Sequence, residues 1–475
     1  MERGCRLSDL PLLFYLILAL TLNNNIIIMS KNRLIVLLLS LTVGLSVTLQ
    51  AQDTTYARTI IRTLAGDAMH GRGASYGGDS LAAAYLRSEL IRLGVEPLAN
   101  NYYQSYTFNT FSMEGPCWMK VNNRQLKVYD EFRPTLWSST INDDEIEVVK
   151  VPIETFLDGT LLQQFIAKRK NKLSNCFIYL DCSQVQFANQ QEERNYRQRM
   201  AELRRRNPFG SRGIIVGLNN LNTSSPAGCD YDHGYDYIEV LASVMPKRIK
   251  QLGVGITSQF RRNHPTQNVL GMVRGEVDTM IVYTAHYDHL GIMGKALNPD
   301  NEHLVGKEVI FRGAHDNASG VAAVLDLARM AVAEKPHYTT VFMFFSGEES
   351  GLKGSAYQAE HPSIDYSKVR LLVNIDLFCG GEEGLMVFNA KAPNTQFYFD
   401  RMVKLNEALQ VAPEIRPRDL TPNSDHWSFR NLCPVLYVLS MGQPYGGYHS
   451  PSDDCAGCGL QYYHNHLVLI STLGY

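Results

Sequence analysis

Apolar residues fall into distinct textures along the 475-residue chain. Two apolar runs open it, one over 10–22 that continues into 26–28, and one over 34–49 that follows the Lys31/Arg33 pair. From 79 to 93, Leu81, Tyr85, Leu86, Leu90, Ile91 and Leu93 recur at helical spacing with Gly94 placed as a stop, which predicts an amphipathic helix. After Thr107 the pattern shortens. Strands are expected over 117–127 and 145–151, a helix around 165–169, and short apolar runs at 176–180 and 213–216 lie among polar loops. Beyond Asn268, β-branched or aromatic runs at 280–284, 340–345, 371–375 and 434–439 alternate with helical patterning, and a helix over 318–333 carries Val321, Val324, Leu325 and Ala328 on one face.

Strands alternating with helices predict an α/β fold with a mixed, mainly parallel sheet flanked by helices. The organisation expected is an apolar N-terminal region over 1–52, a first part of the main domain over 53–114, an inserted smaller α+β domain over 115–262, and the main part of the domain over 263–475. Within the insert, 192–206 is dense in charge, but Glu192, Glu193 and Glu202 intersperse the arginines, so a solvated helix face is expected rather than a basic patch.

Composition narrows the partners. Lys and Arg total 45 against 47 Asp and Glu, a net charge of −2 that offers no general attraction to nucleic acid or anionic lipid. Hydrophobic residues at 45% with charged residues at 19% exclude a disordered chain. The run over 34–49, with its basic flank and the small or polar stretch 48–52, reads as a secretory signal with Ala51 placed for cleavage and Met29 as an alternative start. The competing reading is an uncleaved anchor, the only case in which a membrane partner is expected. Both place the bulk of the chain outside the cytoplasm. Removing Cys5 leaves eight of nine cysteines, and Cys455-Ala456-Gly457-Cys458 lacks the second CxxC of a structural zinc site, so a local disulfide or unpaired thiols are expected there.

The residues just past each late strand carry the chemistry. The run 280–284 leads into Ala285-His286-Tyr287-Asp288-His289, 340–345 into Ser346-Gly347-Glu348-Glu349, and 371–375 into Asp376. Ligands of open α/β sheets sit beyond the carboxyl ends of the strands, so these residues should converge. Gly313-Ala314-His315-Asp316-Asn317-Ala318-Ser319-Gly320 and Tyr448-His449-Ser450-Pro451-Ser452-Asp453-Asp454 add further His and Asp. Imidazole and carboxylate donors without thiolate suit zinc, and a shared Asp suits two divalent ions. Asp288 is positioned to accept the ring N–H of His286 and set its tautomer. In the Glu348-Glu349 pair, one carboxylate can ligate while its neighbour moves protons.

With the opening Ala68-Met69-His70-Gly71-Arg72-Gly73 and Ser424-Asp425-His426-Trp427-Ser428-Phe429, these motifs resemble, in order, the co-catalytic di-zinc exopeptidases of the bacterial secreted leucyl aminopeptidase type. That superfamily also holds glutamate carboxypeptidases, the transferrin receptor ectodomain and glutaminyl cyclases. The resemblance spans 55–114 and 262–475. It implies that His286 and Asp376 bind one zinc, Glu349 and His449 the other, and Asp316 bridges them, with other divalent metals as alternatives. It further implies Glu348 as general base, Tyr448 as a hydrogen-bond donor to the tetrahedral oxyanion, a cis peptide at Asp316–Asn317, and an insert similar to a protease-associated domain. Peptides are the implied substrates.

Aminopeptidase activity is the first expectation. A carboxypeptidase or dipeptidase, a glutaminyl cyclase, and a non-catalytic receptor-like binding module are the alternatives, the last disfavoured because all five ligands and the base are present. His289, His315 and His426 lie inside motifs but match no ligand position, so supporting roles are expected. Asp425 either lines the substrate pocket or supports the site, and Glu382-Glu383 reads as a solvated turn. Tyr437 is expected in the core. Neither Gly-x-Ser-x-Gly around Ser319 nor HExxH occurs, which excludes a serine elbow and the single-zinc thermolysin arrangement.

Overall fold

The computed structural model describes residues 54–135, 137–221, 230–296, 307–442 and 447–474. The signal expected over 34–49, and Met29, lie outside the described residues. Among the described residues no helix is long and apolar enough to cross a membrane.

The expected late strands form the centre of a mixed sheet. Tyr338–Phe345, Val277–His286, Val369–Ile375 and Val435–Met441 lie side by side in that order, all parallel. Gln259–Val273 flanks them antiparallel on one side, and Gly384–Phe388 does so on the other. Parallel strands buried on both faces must be apolar at nearly every position, and the two faces divide them by strict alternation. Ile281, Tyr283, Ala285, Phe342, Phe344, Leu371, Val373 and Ile375 join one core with the helices Thr55–Leu64, Gly78–Leu93, Ser319–Glu334 and Tyr463–Ser471. Val282, Val341, Met343 and Leu372 point the other way, toward Tyr366 and Phe429. The helix Gly78–Leu93 ends where expected, with Gly94 in the left-handed region at φ 82°.

A second sheet, of five strands, lies within 132–241 in the order Phe132–Pro134, Asp236–Leu241, Gly213–Leu218, Phe177–Asp181, Val148–Val151. Its last four strands are parallel, and Phe132–Pro134 is antiparallel at the edge. Tyr103–Val121 is one continuous strand that pairs with Gln259–Val273 and, farther along, with Leu252–Ile256. The charge-dense helix Gln190–Arg205 buries only Leu203 among its residues. Arg204 is the exception to its solvated face, because its guanidinium reaches Glu239, a buried carboxylate that also binds Arg133.

The cysteine expectation is corrected. Cys458 pairs not with Cys455 but with Cys379, 79 residues earlier, and Cys455 is a free thiol near Ile61 O. The link joins the loop leaving Asp376 to the segment that follows His449.

Candidate metal centre

Parallel alignment brings the strand ends to one edge: His286 pairs in register with Phe345, the last residue before the Ser346–Glu349 loop, and Asp376 follows Ile375 directly. Asp316 arrives from the connection before the helix Ser319–Glu334, and His449 from the segment after Val435–Met441. All five expected ligands are buried.

Asp316 is the centre of the arrangement. Its Oδ1 lies 3.2 Å from His286 Nε2, which is also 3.3 Å from Asp376 Oδ1. Its Oδ2 lies 2.9 Å from His449 Nε2, which is 3.2 Å from Glu349 Oε2. Donor atoms therefore gather into two groups that share Asp316, one with His286 and Asp376, the other with Glu349, His449 and His289. Beyond the 3.3 Å approach of His286 Nε2, Asp376 Oδ1 is buried and makes no hydrogen bond, which leaves a ligand oxygen turned inward. Anionic oxygens and imidazoles this close and this dry fit divalent cations. The peptide Asp316–Asn317 is cis.

The carboxylates of Asp376 and Glu349 are each tied on the outer side. Ser424 Oγ donates to Asp376 Oδ2 at 2.8 Å and accepts from Asn374 Nδ2 at 2.8 Å, while Thr284 Oγ1 donates to Asn374 Oδ1 at 2.7 Å. Glu349 Oε1 meets His289 Nδ1 at 2.6 Å. Asp453 holds the backbone of the bridging residue, accepting from His315 N at 2.8 Å and Asp316 N at 3.0 Å.

Arg72 anchors the same loop from behind. Fully buried, it directs all five guanidinium N–H donors at carbonyls: Nε at Tyr287, Nη1 at Leu64 and Arg312, Nη2 at Gly313 and Asp316. Its own φ is 53°, a region side-chain-bearing residues rarely enter, and this set of bonds offsets the strain. Two glycines make the approach feasible. A Cβ on Gly71 would sit 2.5 Å from Gly291 O and Phe311 O, and one on Gly313 would sit 2.6 Å from Arg72 Nη2.

Asp288 requires a correction. The nearest partner of His286 Nδ1 is the carbonyl of Asp288, at 3.2 Å, with the carboxylate at 3.7 Å. The carboxylate instead accepts the backbone N–H groups of Glu348 at 3.1 Å and Glu349 at 3.3 Å. The loop after Phe345 folds back over the strand end, so its amides reach Asp288 Oδ1 and Oδ2 in hydrogen-bonding geometry and the ring does not.

The environment separates the two adjacent glutamates. Burial pushes Glu348 well above the usual carboxylate range, and Glu349, Asp425 and Asp376 reinforce this against the pull of His286. Burial acts on Glu349 as well, but His449 and His289 outweigh it and hold that carboxyl at about 2. Such a split marks one group to carry a proton and one to stay anionic. Tyr448 lies at the rim, 44% exposed, with its ring stacked on His449 at 4.0 Å.

The remaining candidates divide. His315 Nδ1 accepts Cys379 N at 3.2 Å, fixing the loop beyond Asp376. His426 is buried against Tyr437 and Phe388, and burial lowers its pKa to about 4, so it is neutral core. Asp425 is fully buried with neither oxygen hydrogen-bonded, and burial pushes it up to about 7. Glu382-Glu383 forms a turn as expected, with Glu383 exposed and Glu382 half-buried, its Oε2 turned inward toward Gly442. Tyr437 is buried as expected. Sequence reasoning assigned no role to Arg72, Asp453, Ser424 or Asn374. The only signal for Arg72 was its place between Gly71 and Gly73.

Residues 268–472 match the sequence model of Peptidase family M28. A probable zinc metalloprotease of Pyrenophora tritici-repentis is 28% identical over 173 residues, 36% of this chain and 34% of that protein. A probable leucine aminopeptidase of Trichophyton verrucosum is 25% identical over 184 residues, 38% of this chain and 45% of that protein. The chain thus spans less than half the length of these curated relatives. Among solved structures, a peptidase M28 precursor from Shewanella amazonensis SB2B superimposes with a TM-score of 0.63 at 16% identity, covering 91% of this chain and 95% of that one, which establishes the shared fold.

Proposed function

We infer that this chain, whose residues 268–472 carry a Peptidase family M28 domain, is a zinc-dependent exopeptidase that removes N-terminal residues from peptides. The observation that carries the reading is Asp316, whose two oxygens face two separate donor groups. His286, Asp376 and Asp316 would hold one cation, and Glu349, His449 and Asp316 the other. The names of the two curated relatives support zinc and the N-terminal bond. When bound, two such ions polarise the scissile carbonyl and acidify the attacking water.

The chain's own groups supply the rest. Glu348, whose carboxyl is raised by burial, takes the proton of the attacking water and returns it to the leaving amine. Asp288 fixes the backbone from which Glu348 and Glu349 diverge, so the base and the ligand keep their separate directions. Although Tyr448 is partly exposed at the rim, desolvation on its site-facing side and the carboxylates of Asp316 and Glu349 raise its pKa, so its hydroxyl stays protonated and able to donate to the oxyanion of the tetrahedral intermediate. We assign the protein to an extracytoplasmic compartment, supported by the Cys379–Cys458 link and the apolar run over 34–49; fractionation of expressing cells tests that assignment.

Hydrolysis of paired free and N-blocked aminoacyl amides, with and without chelator, tests the activity. The reading expects cleavage of the free forms only, lost on chelation and restored by zinc. Equal cleavage of blocked forms would favour a carboxypeptidase or other specificity, and chelator-resistant cleavage would contradict the metal reading.

A further inference from the structure

His289 matches none of the five ligand positions, yet its side chain is fully buried and its Nδ1 lies 2.6 Å from Glu349 Oε1. Its backbone N–H donates to Arg72 O at 3.3 Å, which pins the residue to the same anchor that holds the bridging loop. Its Nε2 is buried with no hydrogen-bond partner among the described residues, so Glu349 is the side chain its ring serves. Edge-on contact with the His449 ring, with centroids 5.7 Å apart, fixes the imidazole plane.

The two oxygens of Glu349 do different things. Oε2 faces His449 Nε2 at 3.2 Å, on the side of Asp316, and Oε1 faces His289. A carboxylate that ligates a cation is ionised and can only accept hydrogen bonds, so Nδ1 must carry the proton between them. A protonated nitrogen has no lone pair to offer a metal. Resting on the two-cation reading above, we propose that His289 is a positioning residue, whose Nδ1–H holds Glu349 Oε1 and thereby turns Oε2 toward the position shared with His449 and Asp316. The parallel with Asp376 is close, since there Ser424 ties Oδ2 and leaves Oδ1 facing inward.

The test measures zinc affinity directly, by competition with a chromophoric chelator, for the wild-type protein, His289→Ala and His289→Asn, with thermal melts of the metal-free proteins to establish folding. Partners of metal ligands typically contribute about 10–100-fold to affinity, so His289→Ala should weaken one of the two sites by that factor and leave the other near its wild-type value. His289→Asn puts an amide N–H close to the position of Nδ1 and should recover most of the loss. Unchanged affinity in His289→Ala would overturn the assignment. So would an Asn variant as weak as the Ala variant, the result expected if the ring itself bound the metal. Should His289→Ala fail to fold, the Asn variant still decides, through near-native affinity or its loss. A wild-type protein that takes up no zinc would overturn the two-cation reading itself, whereas failure confined to the His289 variants overturns only this proposal.

Discussion

The carboxylate of Asp288 accepts the backbone N–H of Glu348 at 3.1 Å, and its second oxygen accepts that of Glu349 at 3.3 Å. One side chain therefore sets the directions in which the proposed base and the proposed ligand leave the chain. Asp288→Asn retains one acceptor oxygen and loses the other. The expected outcome is a fall in kcat of about 10–100-fold with a folded protein, read from steady-state kinetics alongside a thermal melt. An unchanged kcat would mean that the loop needs no such anchor.

Glu348→Gln removes the proton carrier while keeping its shape. Turnover should fall by about 10²–10⁴-fold, with zinc content and folding preserved. Near-native turnover in the zinc-replete variant would remove Glu348 from the mechanism.

The buried chain from Thr284 through Asn374 and Ser424 to Asp376 makes a prediction about stability. Ser424→Ala deprives Asn374 Nδ2 of an acceptor and Asp376 Oδ2 of a donor inside the core, a loss of about 1–3 kcal/mol. Denaturant unfolding of the metal-free protein measures it. A midpoint equal to wild type would show that these groups find other partners.

Protons and zinc should compete for His449. Burial opposes its imidazolium, but Glu349 and Asp316 overcome that and push it up to about 11 in the metal-free protein. A pKa raised on folding contributes stability that is complete below about 6.5, the ordinary value, and is lost as pH climbs through about 11. At neutral pH the metal-free site is thus protonated, and zinc must displace that proton. Affinity should strengthen with pH by about tenfold per unit for each proton displaced. Calorimetry in buffers of different ionisation enthalpy counts the protons, and uptake without proton release would contradict the assignment.

Much of this centre was legible in the sequence because strand ends are. Apolar runs at 280–284, 340–345 and 371–375 mark buried parallel strands, and whatever polar residue ends each one is delivered to a common edge. That rule brings His286, Asp376 and the loop carrying Glu348 and Glu349 to one edge, while the choice of ligands among them came from the family resemblance. The supports did not follow, because their partners are set by tertiary folding. Arg72 reaches carbonyls 215 to 244 residues away as well as Leu64 nearby, and no periodicity announces such contacts. Cys458 had a neighbour at the right sequence spacing in Cys455, yet the chain brings Cys379 to it instead. Asp288 stood beside His286 in sequence, and only the path of the following loop turned its carboxylate toward the Glu348 and Glu349 amides.

The mechanism turns on Asp316 being shared between two cations, and metal content by mass spectrometry on wild type and Asp316→Ala decides whether it is. About two zinc per chain are expected in the wild type and a loss at both sites in the variant, because the one carboxylate serves both donor groups. A variant that keeps its full complement, or a zinc-exposed wild type that holds none, would contradict it.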